Sequence, residues 1–325
     1  MPRILLAGGS GFIAAHTLDT LLHRVHSVVT TVRSRIKGQR LLNAYPEHAG
    51  STLHYVNVED MARPGAVISD PPFDIVIHTA SPYHFKSQDN QKELLGPAVN
   101  GTVGLLESIV KNAPSVKRVV ITSSSAAILD PSQPTKVYLE ADWCPISKDQ
   151  ALNGPANGYR ASKTFAFSSG PDASIVVYSA PRSRPSAASP GIMAELNTSK
   201  QRIRNLMTGA SRDGCPPTGN HLLVDVRDLA LGHALAAERP EAAGRRFVMV
   251  GDRFSNKEIA EIMAAEFPER RSRLPTGKAL EPGDHPSQGC YGSDNTESKR
   301  VLGMAYRPLR ESVVDAVTSL QRFRA

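Results

Sequence analysis

Along its first half the chain alternates short apolar runs with longer stretches of helical period. Arg3-Ile4-Leu5-Leu6-Ala7 reads as a buried strand, Phe12 to Leu22 as a helix, and Ser27 to Val32 as a second strand. Asp74 to His78 and Arg118 to Thr122 are two more β-rich runs, with the helical stretch Ala98 to Asn112 between them. Near-continuous apolar strands alternating with helices predict a parallel sheet covered on both faces.

The second half has a different grain. Leu222 to Val226 reads as a strand, Arg227 to Glu238 as a helix, and Arg246 to Val250 as another strand. Ser255-Asn256-Lys257-Glu258 has the spacing of a capping box, which opens a helix running to Phe267. A Pro/Gly-rich stretch from Pro275 to Gly292 precedes a last helix, Leu309 to Phe323. No internal repeat interrupts the series.

Composition narrows the class without naming it. At 325 residues, 40% hydrophobic and 21% charged, the chain can bury one large α/β core or a core plus a lobe. Cys144, Cys215 and Cys290 are odd in number and far apart. Their spacing gives neither a disulfide framework nor a zinc pattern, so no metal is expected and a reduced, cytoplasmic compartment is. No apolar stretch reaches membrane-spanning length. The net charge of +7 is concentrated around Arg182, Arg184, Lys200, Arg202, Arg204 and Arg212, without interleaved aromatics. That argues against nucleic acid as a partner and leaves an anionic small molecule as the simpler client.

The first turn carries the first chemical signal. Gly8-Gly9-Ser10-Gly11-Phe12-Ile13-Ala14 lies between a strand and a helix, where a dinucleotide pyrophosphate is held by helix N-terminal N–H groups. Gly8 permits the tight turn, Gly11 the approach to phosphate, and Ala14 close packing of helix on strand. The fold class follows: α/β, a Rossmann-type doubly wound parallel sheet with a smaller C-terminal substrate lobe. Residues 1–178, with 222–250 returning to them, are expected to form the dinucleotide domain, and 179–325 mainly the lobe. At the end of the second strand an NAD site wants a carboxylate for the ribose 2′-hydroxyl. This chain has Val32-Arg33-Ser34 and then Lys37, cations that suit a 2′-phosphate and so NADP(H). Asp60, after the third apolar run, is a candidate for the adenine amino group.

Tyr159-Arg160-Ala161-Ser162-Lys163 places Tyr159 and Lys163 four apart, on one face of a helix. Thr122-Ser123-Ser124-Ser125 closes the strand upstream, and ligands in open parallel sheets sit at strand carboxyl ends. The set suits carbonyl reduction. Tyr159 is the general acid, Lys163 lowers its pKa and holds the nicotinamide ribose, and Ser124 donates to the developing oxyanion. Asn100 is a candidate relay to Lys163, or a plain polar position on its helix.

With these residues in place, the chain resembles the extended short-chain dehydrogenase/reductases. The branch is that of dihydroflavonol-reductase-like enzymes and fungal-type aldehyde, methylglyoxal and ketone reductases. Besides the glycine turn, the matching pieces are Val-Arg-Ser (32–34), His-Thr-Ala-Ser-Pro (78–82), Pro-Ala-Val-Asn-Gly-Thr (97–102) and Val-Val-Ile-Thr-Ser-Ser (119–124). Tyr-x-x-Ser-Lys-Thr-Phe-Ala (159–166), Leu-Asn-Thr-Ser (196–199), Val-Asp-Val-Arg-Asp-Leu-Ala (224–230) and Ser-Lys-x-x-Leu-Gly-x-x-Tyr-Arg-Pro-Leu (298–309) continue it. The resemblance implies an NADP(H)-dependent reductase of a small carbonyl compound, a flavanonol-like one included. Ser124, Tyr159 and Lys163 take the catalytic roles, Thr79, Ala80 and Ser81 line the cofactor, and Pro82, Tyr83 and Phe85 are candidate substrate contacts. Monomer and dimer are both compatible with the sequence.

Residues 167–195 depart from that pattern. Ser168-Ser169-Gly170-Pro171 should break the catalytic helix early, by about eight residues or roughly 12 Å at 1.5 Å per residue. Ser174 to Tyr178 fits the next strand, but Ala180 to Pro185 replaces the usual cofactor-contacting turn with a basic one. A local frame or splice change and a genuine divergence would both give such a block. Two alternatives therefore stand beside the reductase: a dinucleotide-binding relative without turnover, and an epimerase or hydroxysteroid dehydrogenase on the same scaffold.

Overall fold

The computed structural model describes residues 1–60, 72–81, 87–168, 174–178, 181–182 and 198–322. In chain order, β1 (Arg3–Ala7), α1 (Phe12–His23), β2 (Ser27–Val32), α2 (Arg35–Ala44), β3 (Leu53–Asn57) and β4 (Ile75–His78) form the first half of the sheet. Then come α3 (Gly96–Asn112), β5 (Arg118–Thr122), α4 (Pro155–Ser168) and β6 (Ser174–Tyr178). Next are α5 (Thr198–Thr208), β7 (Leu222–Asp225), α6 (Val226–Glu238) and β8 (Arg246–Met249). The chain ends with α7 (Asn256–Glu266), α8 (Thr296–Leu302) and α9 (Leu309–Arg322).

The main sheet has seven strands in the order β3-β2-β1-β4-β5-β6-β8, and every pair is parallel. Its period-2 alternation sorts the strand side chains between two cores. Ile4, Leu6, Val28, Ile75, Ile77 and Val120 pack with Leu18 and Leu21 of α1 and Leu229 and Ala236 of α6. Leu5, Val29, Val76 and Ile121 face the other way, onto Leu105 and Ile109 of α3 and Ala166 and Phe167 of α4. Burying each Val, Leu, Ile or Phe among them contributes about 1.5–3 kcal/mol. Neither face is left for water, so polar chemistry is confined to the strand ends.

Of residues 222–250, β8 joins the main sheet beside β6, and α6 packs on α1. β7 differs from the rest: it forms a separate small sheet, parallel to Pro181–Arg182 and antiparallel to Asp252–Arg253. A third core of Ile203, Leu206, Leu223, Phe254, Ile259, Met263, Val313 and Val317 unites α5, α7 and α9 around it. The junction is polar. Asp225 caps α6 by accepting from Arg227 N at 2.9 Å, and Ser312 donates to it at 2.8 Å. Arg227 reaches across to Asp315 at 2.6 Å, while Arg307 pairs with buried Asp228. The Val-Asp-Val-Arg-Asp motif thus ties β7 and α6 to α9 and the residues just before it.

The capping box acts as the sequence predicts. Ser255 and Glu258 form a reciprocal capping box at the start of α7. Gly303 ends α8 in the left-handed region at φ 65°, where a side chain would be strained. The start of α3 differs: it lies at Gly96, ahead of Ala98, after a wide π-type turn over Gln91–Leu95. Among the described residues no helix is long and apolar enough to cross a membrane.

Two histidines are sealed in this core. His233 of α6 is fully buried, Thr122 Oγ1 lies 2.7 Å from its Nε2, and its Nδ1 lies 2.7 Å from Leu229 O. Burial lowers it to about 4, and it does the same to His78. Both stay neutral in the fold while the unfolded chain takes up protons near the ordinary histidine value of about 6.5. Between these values the unfolded state binds more protons, so stability falls as pH drops. Thermal melts should show Tm decreasing from pH 6.5 toward 4, with a shallower slope in His233→Asn; a variant slope equal to wild type would remove His233 from this account.

Candidate active site

The glycine turn is latched to the second strand. Gly8 N donates to Thr31 Oγ1 at 2.9 Å and Gly9 N to Thr31 O at 3.0 Å, while Thr30 Oγ1 donates to Leu6 O at 2.8 Å. Gly8 sits at φ 92°, a conformation open mainly to glycine. A side chain at Gly9 would collide with Thr30, so the middle glycine serves close packing, a role the motif alone did not show. Gly11 precedes α1, whose first turn has no side-chain cap and no acidic residue. The N–H groups of its first turn, Phe12 and Ile13 among them, lie at the electropositive end of the helix, which a pyrophosphate would occupy.

The neighbouring strand ends converge on this turn. Thr79 donates to Ala7 O through both its N–H (3.2 Å) and its hydroxyl (2.7 Å). Ala80 lies so close that a Cβ on Gly8 would meet it at 3.1 Å. Thr79, Ala80 and Ser81 are all half-buried. At the end of β2, Arg33 and Lys37 are exposed, and Ser34 caps α2, accepting from Lys37 N at 3.5 Å. No acidic residue stands in the first turn of α2. Asp60 is exposed just beyond β3.

Tyr159 and Lys163 lie on α4 one turn apart, 7% and 4% exposed, with Lys163 Nζ 5.6 Å from the Tyr159 ring centroid. Loss of hydration lowers the Lys163 ammonium to about 8. The same charge, added to burial, holds His78 neutral at the end of β4. Both ring nitrogens of His78 lack a hydrogen-bond partner among the described residues. Ser124 caps the turn Ser125–Ala127, on which α4 packs, and its Oγ accepts from Ala126 N at 3.2 Å. Its hydroxyl hydrogen is left to donate elsewhere. Asn100 occupies an exposed position on α3.

Sequence reasoning missed Asn90. Its side-chain amide donates to Ala151 O at 2.9 Å and Gly154 O at 2.8 Å. Gly158 packs so tightly on it that a Cβ there would clash with the Asn90 amide. This clamp fixes the N-terminal turn of α4 immediately before Tyr159. Farther along, Ala166 and Phe167 remain in the core, so α4 is anchored up to the point where its sequence breaks. Pro82, Tyr83 and Phe85 lie outside the described residues, as do 169–173 and the turn residues from 183 to 197.

Comparison with known proteins places the chain in a family. Residues 4–169 match the NAD dependent epimerase/dehydratase family. The chain is 42% identical to ketoreductase azaE of Aspergillus niger, covering 98% of this chain and 97% of that protein. It is 31% identical to the NADPH-dependent methylglyoxal reductase GRE2 of Saccharomyces cerevisiae, covering 98% of each. The crystal structure of yeast methylglyoxal/isovaleraldehyde reductase Gre2 complexed with NADPH superposes with a TM-score of 0.88 at 29% identity, over 99% of both chains. The chain therefore belongs to the NAD dependent epimerase/dehydratase family, as an oxidoreductase of the extended short-chain dehydrogenase/reductase branch that these ketoreductases occupy.

Proposed function

We propose that the chain reduces a small aldehyde or ketone to its alcohol with NADPH. The observation that carries this reading is Lys163, buried one helical turn from Tyr159, on a helix packed against the turn that Ser124 caps. The names of its relatives, a ketoreductase and a methylglyoxal reductase, support the carbonyl class.

The residues present fit the cofactor. The uncapped N-terminus of α1 and the Gly8–Gly11 turn would hold the pyrophosphate, with Thr79, Ala80 and Ser81 alongside. Arg33 and Lys37 would hold the 2′-phosphate, and Asp60 the adenine. NADPH, when bound, supplies the hydride. Tyr159 donates its phenolic proton to the carbonyl oxygen. Lys163, as an ammonium, stabilises the phenolate left behind and holds the nicotinamide ribose hydroxyls. Ser124 donates a hydrogen bond to the same oxygen as its charge grows.

An NADPH-consumption screen over aldehydes, diketones and hydroxyketones tests the reading. Wild type should turn over, and Tyr159→Phe should lose about 10²–10⁴-fold in kcat. NADPH binding with equal inertness in both would leave a dinucleotide-binding relative without turnover. Arg33→Ala should lower the preference for NADPH over NADH by about tenfold or more, the scale of one charge-assisted hydrogen bond. An unchanged preference would remove Arg33 from the 2′-phosphate site.

The state of Lys163 gives a pH signature. Its charged form holds below about 8 and is lost above. Free-enzyme kcat/KM should therefore fall on the alkaline side with an apparent pKa near that value. Lys163→Arg, which cannot deprotonate there, should lack this limb; a wild-type profile flat through the range would contradict the assignment.

A further inference from the structure

A second cluster of chemically capable side chains lies outside the catalytic set. His221, His285 and Cys290 each bring one ligand atom within 4.8 Å of the others. His221 immediately precedes β7, while His285 and Cys290 sit on the Pro/Gly-rich stretch that leads to α8. His285 Nδ1 is 3.2 Å from His221 Nδ1 and 3.5 Å from Cys290 Sγ.

These two separations have the size of edges of a coordination polyhedron. Bond lengths of about 2.0–2.1 Å to nitrogen and 2.3 Å to sulfur give tetrahedral edges of about 3.3 Å for N···N and 3.6 Å for N···S. The orientation of His285 fits too. Its Nε2 lies 3.3 Å from Glu258 Oε2, the oxygen that accepts from Ser255 N at 2.6 Å. A carboxylate fixed by its own capping box thus holds the outer ring nitrogen as N–H, which turns the Nδ1 lone pair inward. His221 is steadied by Tyr291: its backbone N–H donates to the phenol oxygen at 3.3 Å, and the rings meet edge to face at 5.8 Å. Cys290 is partly exposed and, with Thr135 and Asn295, lines a cavity of about 320 Å³ that gives a path from solvent.

We propose that His221, His285 and Cys290 form a binding site for a zinc-type divalent cation, with water in the fourth position. Cys290 binds as thiolate, so its thiol proton is released on binding and no redox change occurs. The three ligands join the start of β7 to the 285–290 stretch, and Glu258 adds α7. The ion would act as a clamp on the lobe. Cysteine spacing along the sequence could not reveal it, because the histidines lie 64 residues apart and a single cysteine is used.

The test uses the full chain, reduced and stripped of metal by a chelator, then titrated with Co(II) and by competition with Zn(II). One equivalent should bind, with tetrahedral visible bands and a near-ultraviolet thiolate-to-cobalt band. Cys290→Ser should lose that band and His285→Asn should bind more weakly. Glu258→Gln, which retains the capping box, should weaken Zn(II) by about 10–100-fold. Zn(II) should raise the Tm of wild type and not that of Cys290→Ser, each compared with its own metal-free form. Absence of one-equivalent binding, a thiolate band that survives Cys290→Ser, or Zn(II) affinity untouched by Glu258→Gln would each overturn the proposal. None of these readouts depends on carbonyl reduction.

Discussion

The ammonium of Lys163 is held where water scarcely reaches it, and no carboxylate pairs with it among the described residues. In the unfolded chain a lysine keeps its proton to about 10.4, against about 8 here. At neutral pH the folded state therefore carries a desolvated charge at a cost to stability. That cost is relieved as pH rises through the folded value, because the unfolded chain then binds more protons. The surroundings are arranged to tolerate it. His78 stays neutral, and the Tyr159 ring lies alongside. A strongly perturbed charge in such a setting marks a working site more often than a packing accident.

The fold explains why the charge is where it is. A parallel sheet with apolar cores on both faces offers one polar margin, at its carboxyl ends. Gly8, Thr79, Ser124 and the helix bearing Tyr159 all meet that margin, each delivered by a different strand or crossover. Asn90 and Gly158 set the beginning of α4, and Phe167 its end. The distance between Tyr159 and Lys163 is thus a property of one rigid helix, and its placement over the sheet a property of two anchors.

The strands and most helices were legible because their apolar runs are unbroken and their caps carry standard chemistry. Gly8, Gly11 and the Tyr159–Lys163 spacing were legible because backbone geometry demands those residue types at those intervals. Interactions between distant segments were not. The collision that excludes a side chain at Gly9 involves Thr30, and the Asn90 clamp acts across 64 residues onto Gly154. Leu222–Asp225 read as a core strand because it is wholly apolar until its capping aspartate, yet hydrogen bonding places it in the small sheet. His78 looked like the end of a strand, and only burial beside Lys163 gives it significance.

The position of β8 has a consequence for how the chain reaches this state. The last strand joins the sheet by pairing β8 with β6, although residues 179–245 intervene. Such non-local closure is entropically late and slow. A nascent chain that has emerged only as far as β6 presents an open strand edge next to an unfinished apolar face, the kind of surface that pairs with other chains. Synthesis of the native protein thus passes through an interval of exposure that ends only when Phe247, Val248 and Met249 have arrived. Conditions that lengthen that interval would lower yield without altering any contact of the finished fold.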